Sequence, residues 1–384
     1  MRYLFAGGGT GGHIYPALSI AQALLEMDPS AEIVFVGSKR GLEKRIVPRH
    51  GFELKCLDIQ AFQRKLSLDT LITLYKASMA VLSANKIITE FRPDVVIGTG
   101  GYVSGPPVFA AQLRKIPTVL QEQNALPGAT TRILAKRADL VCVGYAVAKE
   151  RLAAQVRRPD KVKDLGNPIR LNIMQTTRDE GYRILRLDPG KFTILVFGAS
   201  QGSRAINKTM LALWPRLVGL TDWQVLWQTG ENQYDLIRAE LPPEFTEVEP
   251  QVIQYRNLQV RSYIHQMSAA LAVSDLVIAR AGAISLAEIT AKGIPSILIP
   301  LPTAAENHQE HNARALERIG AAKVILEKDL HAESLWSQLI NLINDEQQRQ
   351  AMAEASRAVG KPLAATEIAQ EIMRLAVKGR SGTH

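Results

Sequence analysis

Short runs of consecutive apolar and β-branched residues alternate with stretches whose apolar positions recur at helical spacing, and the alternation persists along the whole chain. That alternation argues for parallel sheets built from βαβ units. In the first half they are Arg2–Ala6, Glu32–Gly37, Asp94–Gly98, Pro117–Gln121, Leu140–Val143 and Val162–Leu165, which predict one doubly wound sheet. After Gly166-Asn167-Pro168 the series restarts with Phe192–Phe197, Gln224–Gln228, Val252–Tyr255, Leu276–Arg280, Ser296–Pro300 and Ala322–Leu326, a second sheet of the same kind. The fold class is therefore α/β, with two Rossmann-like, doubly wound parallel-sheet domains expected to face each other across a cleft. The predicted domains are 1–166 and 167–362, with Pro168–Gly190, poor in apolar residues, as linker. A last helical pattern, Ala364–Val377 within 363–378, is expected to cross back onto the first domain, and 379–384 to form a disordered tail.

A length of 384 residues suits two cores. The 46 Lys and Arg against 37 Asp and Glu leave a formal charge of +9, which suits either contact with phosphates or an anionic surface, or a merely soluble basic protein. Cys56 and Cys142 lie in separate strand-like segments without CxxC spacing, so no disulfide framework or zinc site is expected and a reducing compartment fits. The first strand begins at once, so no signal peptide is expected, and no apolar run reaches the ~20 residues of a spanning helix. Membrane contact, if any, is expected to be peripheral.

Three glycine-rich turns follow predicted strands. The first, Gly7-Gly8-Gly9-Thr10-Gly11-Gly12-His13, precedes Pro16, read as the opening of a helix. A strand, glycine loop and helix start lets a ligand approach the backbone and offers free N–H groups to negative charge. The spacing also satisfies GxGxxG, but the second strand ends in Gly37-Ser38-Lys39-Arg40 where a ribose-binding acid is expected, which disfavours NAD and leaves NADP open. GxxxxGK[ST] is absent. The other turns are Gly98–Pro106, again before a Pro-started helix, and Gly198-Ala199-Ser200-Gln201-Gly202-Ser203-Arg204. Any one could be a ligand-free βα turn; three at carboxyl ends of parallel strands mark the edge where open α/β sheets bind ligands.

Gly8-Gly9-Thr10-Gly11-Gly12-His13, Gly100-Gly101-Tyr102-Val103-Ser104-Gly105-Pro106, Gln121-Glu122-Gln123-Asn124, Gly166-Asn167-Pro168-Ile169-Arg170, Ser200-Gln201-Gly202 and Arg280-Ala281-Gly282-Ala283, with Glu288 and Gln309, occur in the order of the MurG family, which the chain resembles over nearly its whole length. One departure is Ala199, where the family usually has glycine; alanine resists positive φ, so an altered turn is expected.

The resemblance implies a GT-B glycosyltransferase moving N-acetylglucosamine, with inversion, from UDP-N-acetylglucosamine to the C4 hydroxyl of the muramyl sugar of lipid I, giving lipid II for peptidoglycan. Its place is the cytoplasmic face of the inner membrane, and no cofactor is implied. Inversion calls for a base, stabilisation of an oxocarbenium-like centre and a sink for diphosphate charge. Asp-x-Asp is absent, so no metal is expected and helix N-termini take that role. By resemblance Ser200 lies near the donor phosphates, Ile264 near uracil and Arg170 at the domain junction. Glu288 would bind the ribose hydroxyls, the alternative being an exposed helical glutamate, and Gln309 would contact the donor sugar. Thr10, Gly11, Gly12 and His13 would face the acceptor diphosphate and reacting centre, with Asn124 reaching the donor sugar. His13, an imidazole at a helix start whose dipole favours the neutral form, is the candidate base; binding or capping alone is the alternative.

Residues 66–93 carry Leu68, Leu71, Ile72, Leu74, Tyr75, Met79, Val81 and Leu82 at helical spacing, flanked by Arg64, Lys65, Lys76 and Lys86. From periodicity this is core helix; by resemblance it is an apolar patch with a basic rim that docks on anionic lipid. Competing readings are a UDP-N-acetylglucosamine 2-epimerase or other nucleotide-sugar enzyme of the same fold, an NADP-dependent oxidoreductase, and a basic nucleic-acid module. The last is ranked lowest because aromatic residues make up only 6% and no binding motif is present.

Overall fold

The computed structural model describes residues 1–59, 69–199 and 201–381, with the backbone alone at 69–77 and 380–381. The chain forms two compact units, one of Met1–Arg170 together with the segment from Leu363, the other of Leu171–Pro362.

In the first unit seven strands, β1 (Arg2–Ala6), β2 (Glu32–Ser38), β3 (Glu53–Leu57), β4 (Val95–Gly98), β5 (Thr118–Glu122), β6 (Leu140–Val143) and β7 (Val162–Asp164), line up as β3-β2-β1-β4-β5-β6-β7. Every pairing is parallel. Strand order reverses between β1 and β4, so the crevice at their carboxyl ends is the topological switch point. The helices are α1 (Gly11–Met27), α2 (Glu43–Arg49), α3 (Asp69–Phe91), α4 (Gly101–Leu113), α5 (Ala129–Leu134) and α6 (Ala146–Ala153). One apolar cluster joins Tyr3, Phe5 and Ile97 of the sheet to α1 and to Ile368, Ala369, Ile372 and Ala376 of the last helix, Ala364–Ser381. That helix runs on to Ser381, so 379–381 are helical where a disordered tail is expected. The opposite face of the sheet is covered by α3, α4 and their neighbours through Ala84, Ile88, Val108 and Leu134.

The second unit holds β8 (Phe192–Phe197), β9 (Trp223–Gln228), β10 (Thr246–Glu249), β11 (Val252–Tyr255), β12 (Leu258–Arg261), β13 (Leu276–Ala279), β14 (Ser296–Leu298) and β15 (Ala322–Val324), in the order β10-β11-β12-β9-β8-β13-β14-β15. Its switch point lies between β8 and β13. The β10-β11-β12 end is antiparallel, joined to β9 by a parallel pair. The stretch read as linker instead carries helices Asn172–Gln175 and Arg178–Leu185, and the second opens with a Thr177–Glu180 capping box and buries Tyr182 and Leu185.

Candidate active site

The first glycine turn leaves β1 at the switch point and enters α1 five residues before Pro16, not at it. In the same way α4 starts at Gly101, with Pro106 its sixth residue. A proline there deletes the bond to the carbonyl four residues back, that of Gly12 or Tyr102. Both glycine-rich first turns, which contain His13 and Tyr102, are helical where local propensity predicts loop.

His13 is the third residue of α1 and ties the first two turns together. Its carbonyl accepts from Thr99 Oγ1 at 2.8 Å, and its ring lies against Gly100 and Gly101. These glycines have φ of 96° and 73°, and a Cβ at Gly100 would stand 2.7 Å from His13 Nδ1. Only glycine satisfies both conditions. Nδ1 lies 3.1 Å from the Thr99 carbonyl and 2.9 Å from Gln123 Oε1. Thr10, the N-cap, is exposed, as is Gly12, while Gly11 is half-buried. Asn124 follows β5, its backbone N–H and its amide nitrogen both on Glu122 Oε1 at 3.1 and 3.3 Å. Arg170, half-buried, is the last residue of the unit before Leu171.

Beneath the first turn sits Glu43, fully buried at the head of α2. One carboxylate oxygen accepts from Ser38 N and Oγ, each at 2.7 Å, and the other from Gly9 N at 3.1 Å. A Cβ at Gly8, Gly37 or Gly41 would run into this side chain at 2.6 Å or less. Glu43 thus follows β2 by five residues and is sealed inside and spent on the turn, so it offers nothing to a ribose. Cys142, buried in β6 with its thiol pushed up to about 12 by desolvation, is equally unsuited to chemistry.

In the second unit the turn after β8 places a residue other than glycine in the left-handed region. Ala199 has φ of 67°, and its carbonyl accepts from Gly202 N and Gln228 Nε2, both at 3.0 Å. Alanine thus takes the positive φ it resists, and those two bonds hold the residue in place. Gly202, φ 75°, faces the Thr229 carbonyl so closely that a Cβ would lie 1.8 Å from it. Ser203 then caps the helix Arg204–Leu217. Gln228 also accepts from Ile264 N at 3.0 Å, so one buried amide braces both the turn and the Ile264 backbone. Ser200 lies outside the described residues. Glu288 is the sixth residue of the helix Ala283–Lys292 after β13 and is buried rather than exposed. Gln309, half-buried near the start of the helix His308–Arg318, accepts from Leu301 N at 3.0 Å through Oε1. Arg280 fixes the neighbouring loop through the carbonyls of Ile299 and Pro300 and an ion pair with Glu327.

Within each unit, then, the described candidate residues gather at the carboxyl edge of the parallel strands. The glycosyltransferase family 28 N-terminal domain matches residues 3–143 and the corresponding C-terminal domain residues 193–372. The chain is 46% identical, over 96% of its length and 98% of the relative's, to the UDP-N-acetylglucosamine--N-acetylmuramyl-(pentapeptide) pyrophosphoryl-undecaprenol N-acetylglucosamine transferase of Thermoanaerobacter sp. (strain X514). The chain belongs to the MurG family of glycosyltransferase family 28. The enzyme of the same name from Clostridioides difficile (strain 630) is 42% identical over 98% of this chain and 89% of that one. Crystalline Acinetobacter baumannii MurG superposes with a TM-score of 0.75 at 27% identity, covering 97% of this chain and 99% of the other, so the two α/β units are those of the GT-B fold. A UDP-GlcNAc 2-epimerase from Neisseria meningitidis, at 15% identity and a TM-score of 0.66 over 97% of this chain and all of that one, shares the fold alone.

The MurG motifs account for the glycines, for His13 and for the presence of Gln123, but not for what Gln123 touches, and the buried Glu43 and Gln228 lie outside every motif. Glu43, Gln123 as a partner of His13, and Gln228 each act through bonds to residues 29 to 110 positions away. Nothing local marks a glutamate or glutamine as the one that folds inward.

Proposed function

We propose that the chain transfers N-acetylglucosamine from UDP-N-acetylglucosamine to the C4 hydroxyl of the N-acetylmuramyl sugar on undecaprenyl diphosphate, with inversion, as the lipid I to lipid II step of peptidoglycan synthesis. What supports it most is identity of 40–46% with relatives bearing that name along nearly the full chain. The first unit takes the acceptor and the second the donor nucleotide. The acceptor C4 oxygen attacks the anomeric carbon, the C1–O bond to UDP breaks, and the hydroxyl proton passes to His13 Nε2. Thr10, Gly11 and Gly12 face the acceptor diphosphate. Negative charge on the leaving UDP falls on the turn containing Ser200 and the N-terminus of the helix Arg204–Leu217. Glu288 accepts the ribose hydroxyls, Ile264 lies at the uracil, and Gln309, its Oε1 already turned to Leu301, offers its amide N–H to the donor sugar. Asn124 also reaches the donor sugar, and Arg170 acts at the domain junction.

The protein works on the cytoplasmic face of the membrane as a peripheral enzyme. Among the described residues no helix is long and apolar enough to cross a membrane. The packed helices α3, α4 and α5 expose Leu82, Leu113 and Ile133, with the exposed basic residues Lys86, Arg114, Lys115, Lys136 and Arg137 on the same elements or just beyond them. Of the apolar face predicted within 66–93, Leu68 and the side chains of Leu71, Ile72, Leu74, Tyr75 and Lys76 lie outside the described residues, as do Arg64 and Lys65.

Radiolabelled UDP-N-acetylglucosamine with a short-chain lipid I analogue tests the reaction. The wild type is expected to give a disaccharide, and His13→Ala to lose roughly 10²- to 10⁴-fold in kcat, the usual contribution of a general base. Glu288→Ala is expected to act mainly on KM for the donor. Disaccharide formation by His13→Ala at the wild-type rate removes that residue from proton transfer, and donor consumption without acceptor points to epimerisation instead.

A further inference from the structure

The histidine assigned above as base is reached by a chain of buried amides that runs in one direction only. Asn167, 4% exposed, donates from Nδ2 to the backbone carbonyl of Gln123 at 2.9 Å, which fixes which end of its amide is oxygen. That oxygen accepts from Gln121 Nε2 at 3.0 Å, so Gln121 must turn its own Oε1 the other way. Gln123 Nε2 meets three oxygens there: Gln121 Oε1, the Gln121 carbonyl at 3.1 Å and the Thr99 carbonyl at 2.8 Å. A flipped Gln123 would set its oxygen against three acceptors in a site that is 2% exposed, and such a contact is excluded by the cost of unsatisfied buried polar groups. Gln123 Oε1 therefore faces His13 Nδ1 at 2.9 Å, beside the Thr99 carbonyl at 3.1 Å. Two acceptors on one ring nitrogen demand that this nitrogen carry the hydrogen.

We propose that Gln123, braced by Gln121 and Asn167, is a positioning residue that holds neutral His13 as the Nδ1–H tautomer, placing the lone pair on Nε2. The inference rests on His13 being the base. The amide does two things for that role. Before the reaction it keeps the ring in the one tautomer whose Nε2 can take a proton from the acceptor hydroxyl. During it, the imidazolium meets a neutral oxygen rather than a carboxylate, so its charge is supported without an ion pair that would hold the proton afterwards. Neighbouring carboxylates are committed elsewhere, Glu43 to Gly9 and Ser38 and Glu122 to Asn124 and Gly128.

The tautomer can be read directly on the wild type. In a protein labelled with ¹⁵N-histidine, the His13 ring is identified by its loss in His13→Ala. At a pH where the ring is neutral, its Nδ1 is expected to give the protonated and its Nε2 the unprotonated nitrogen signal. Gln123→Met keeps the length and removes the acceptor. It is expected to lower kcat about ten- to a hundredfold, the worth of one charge-assisted hydrogen bond, with KM for both substrates unchanged and Nε2–H signal appearing. An Nε2–H wild-type tautomer, or a Gln123→Met enzyme with unaltered kcat, overturns the inference even if His13→Ala is inactive. An active His13→Ala overturns the base assignment beneath it.

Discussion

At the scale of one residue, the turn after β8 shows a cost carried without visible need. Ala199 sits at φ 67°, where its methyl group crowds the following carbonyl oxygen, a conformation costing an L-residue roughly 1–2 kcal/mol. The bonds from its carbonyl to Gly202 and Gln228 hold it there against that strain. Replacement by glycine removes the strain but returns backbone freedom to the unfolded chain. Ala199→Gly is therefore expected to stabilise the second unit by a net of about 1 kcal/mol. Urea unfolding followed by tryptophan fluorescence reads this well, because all four tryptophans, Trp214, Trp223, Trp227 and Trp336, lie in that unit. A midpoint that stays put or falls means the left-handed conformation is not strained as described.

Whole elements show how far the pattern of apolar residues carries. Strands such as Leu140–Val143 and Leu276–Ala279 are legible because both faces are buried and every position is apolar. The edge strands β3 and β10 are not, because Glu53, Lys55, Glu247 and Glu249 break any apolar run, and β12 alternates through Gln259 and Arg261. Helix starts fail for a different reason: proline is read as a first helical residue, while α1 and α4 each begin five residues earlier, in a glycine-rich turn whose composition suggests a loop. The candidate site is legible where a turn needs glycine and opaque where a distant side chain braces that turn. The closing helix Ala364–Ser381 is legible from its spacing, and its attachment can be tested by pH. Lys163 Nζ lies 2.7 Å from Glu371, and that hydrogen bond, with help from Arg374, holds the Glu371 carboxyl below the usual glutamate range. The unfolded chain thus takes up this proton at higher pH than the folded one. Stabilisation is complete above the unfolded value of about 4.3 and drains away as pH falls through the lower folded value. For a pair that stays partly exposed, Glu371→Gln is expected to cost about 0.5 kcal/mol at pH 7, with the two proteins converging in acid. An equal gap at neutral and acid pH shows that the ion pair contributes nothing.

For the molecule as a whole, the surplus of basic residues, 46 against 37 acidic, gains meaning from where apolar side chains stay exposed. Leu82, Leu113 and Ile133, at 61%, 58% and 69%, are among the most exposed large apolar residues of the first unit, and they stand on three helices that pack in series, α3 on α4 and α4 on α5. The proposed membrane contact assigns these three side chains to insertion at a lipid surface. Each gains roughly 1.5–3 kcal/mol if fully withdrawn from water, and each nearby basic residue adds about 1 kcal/mol on an anionic surface. The two contributions separate by salt, because only the second is screened. The wild type is expected to co-sediment with vesicles containing phosphatidylglycerol and to be released only in part at high salt. A Leu82→Ser/Leu113→Ser/Ile133→Ser variant should bind at least tenfold more weakly, with the residual binding abolished by salt. It should also keep its turnover on a short-chain, water-soluble acceptor, since none of the three belongs to the glycine turns. Vesicle binding equal to the wild type would place the membrane contact elsewhere, and turnover lost equally on the soluble acceptor would assign these side chains to the fold rather than to a lipid surface.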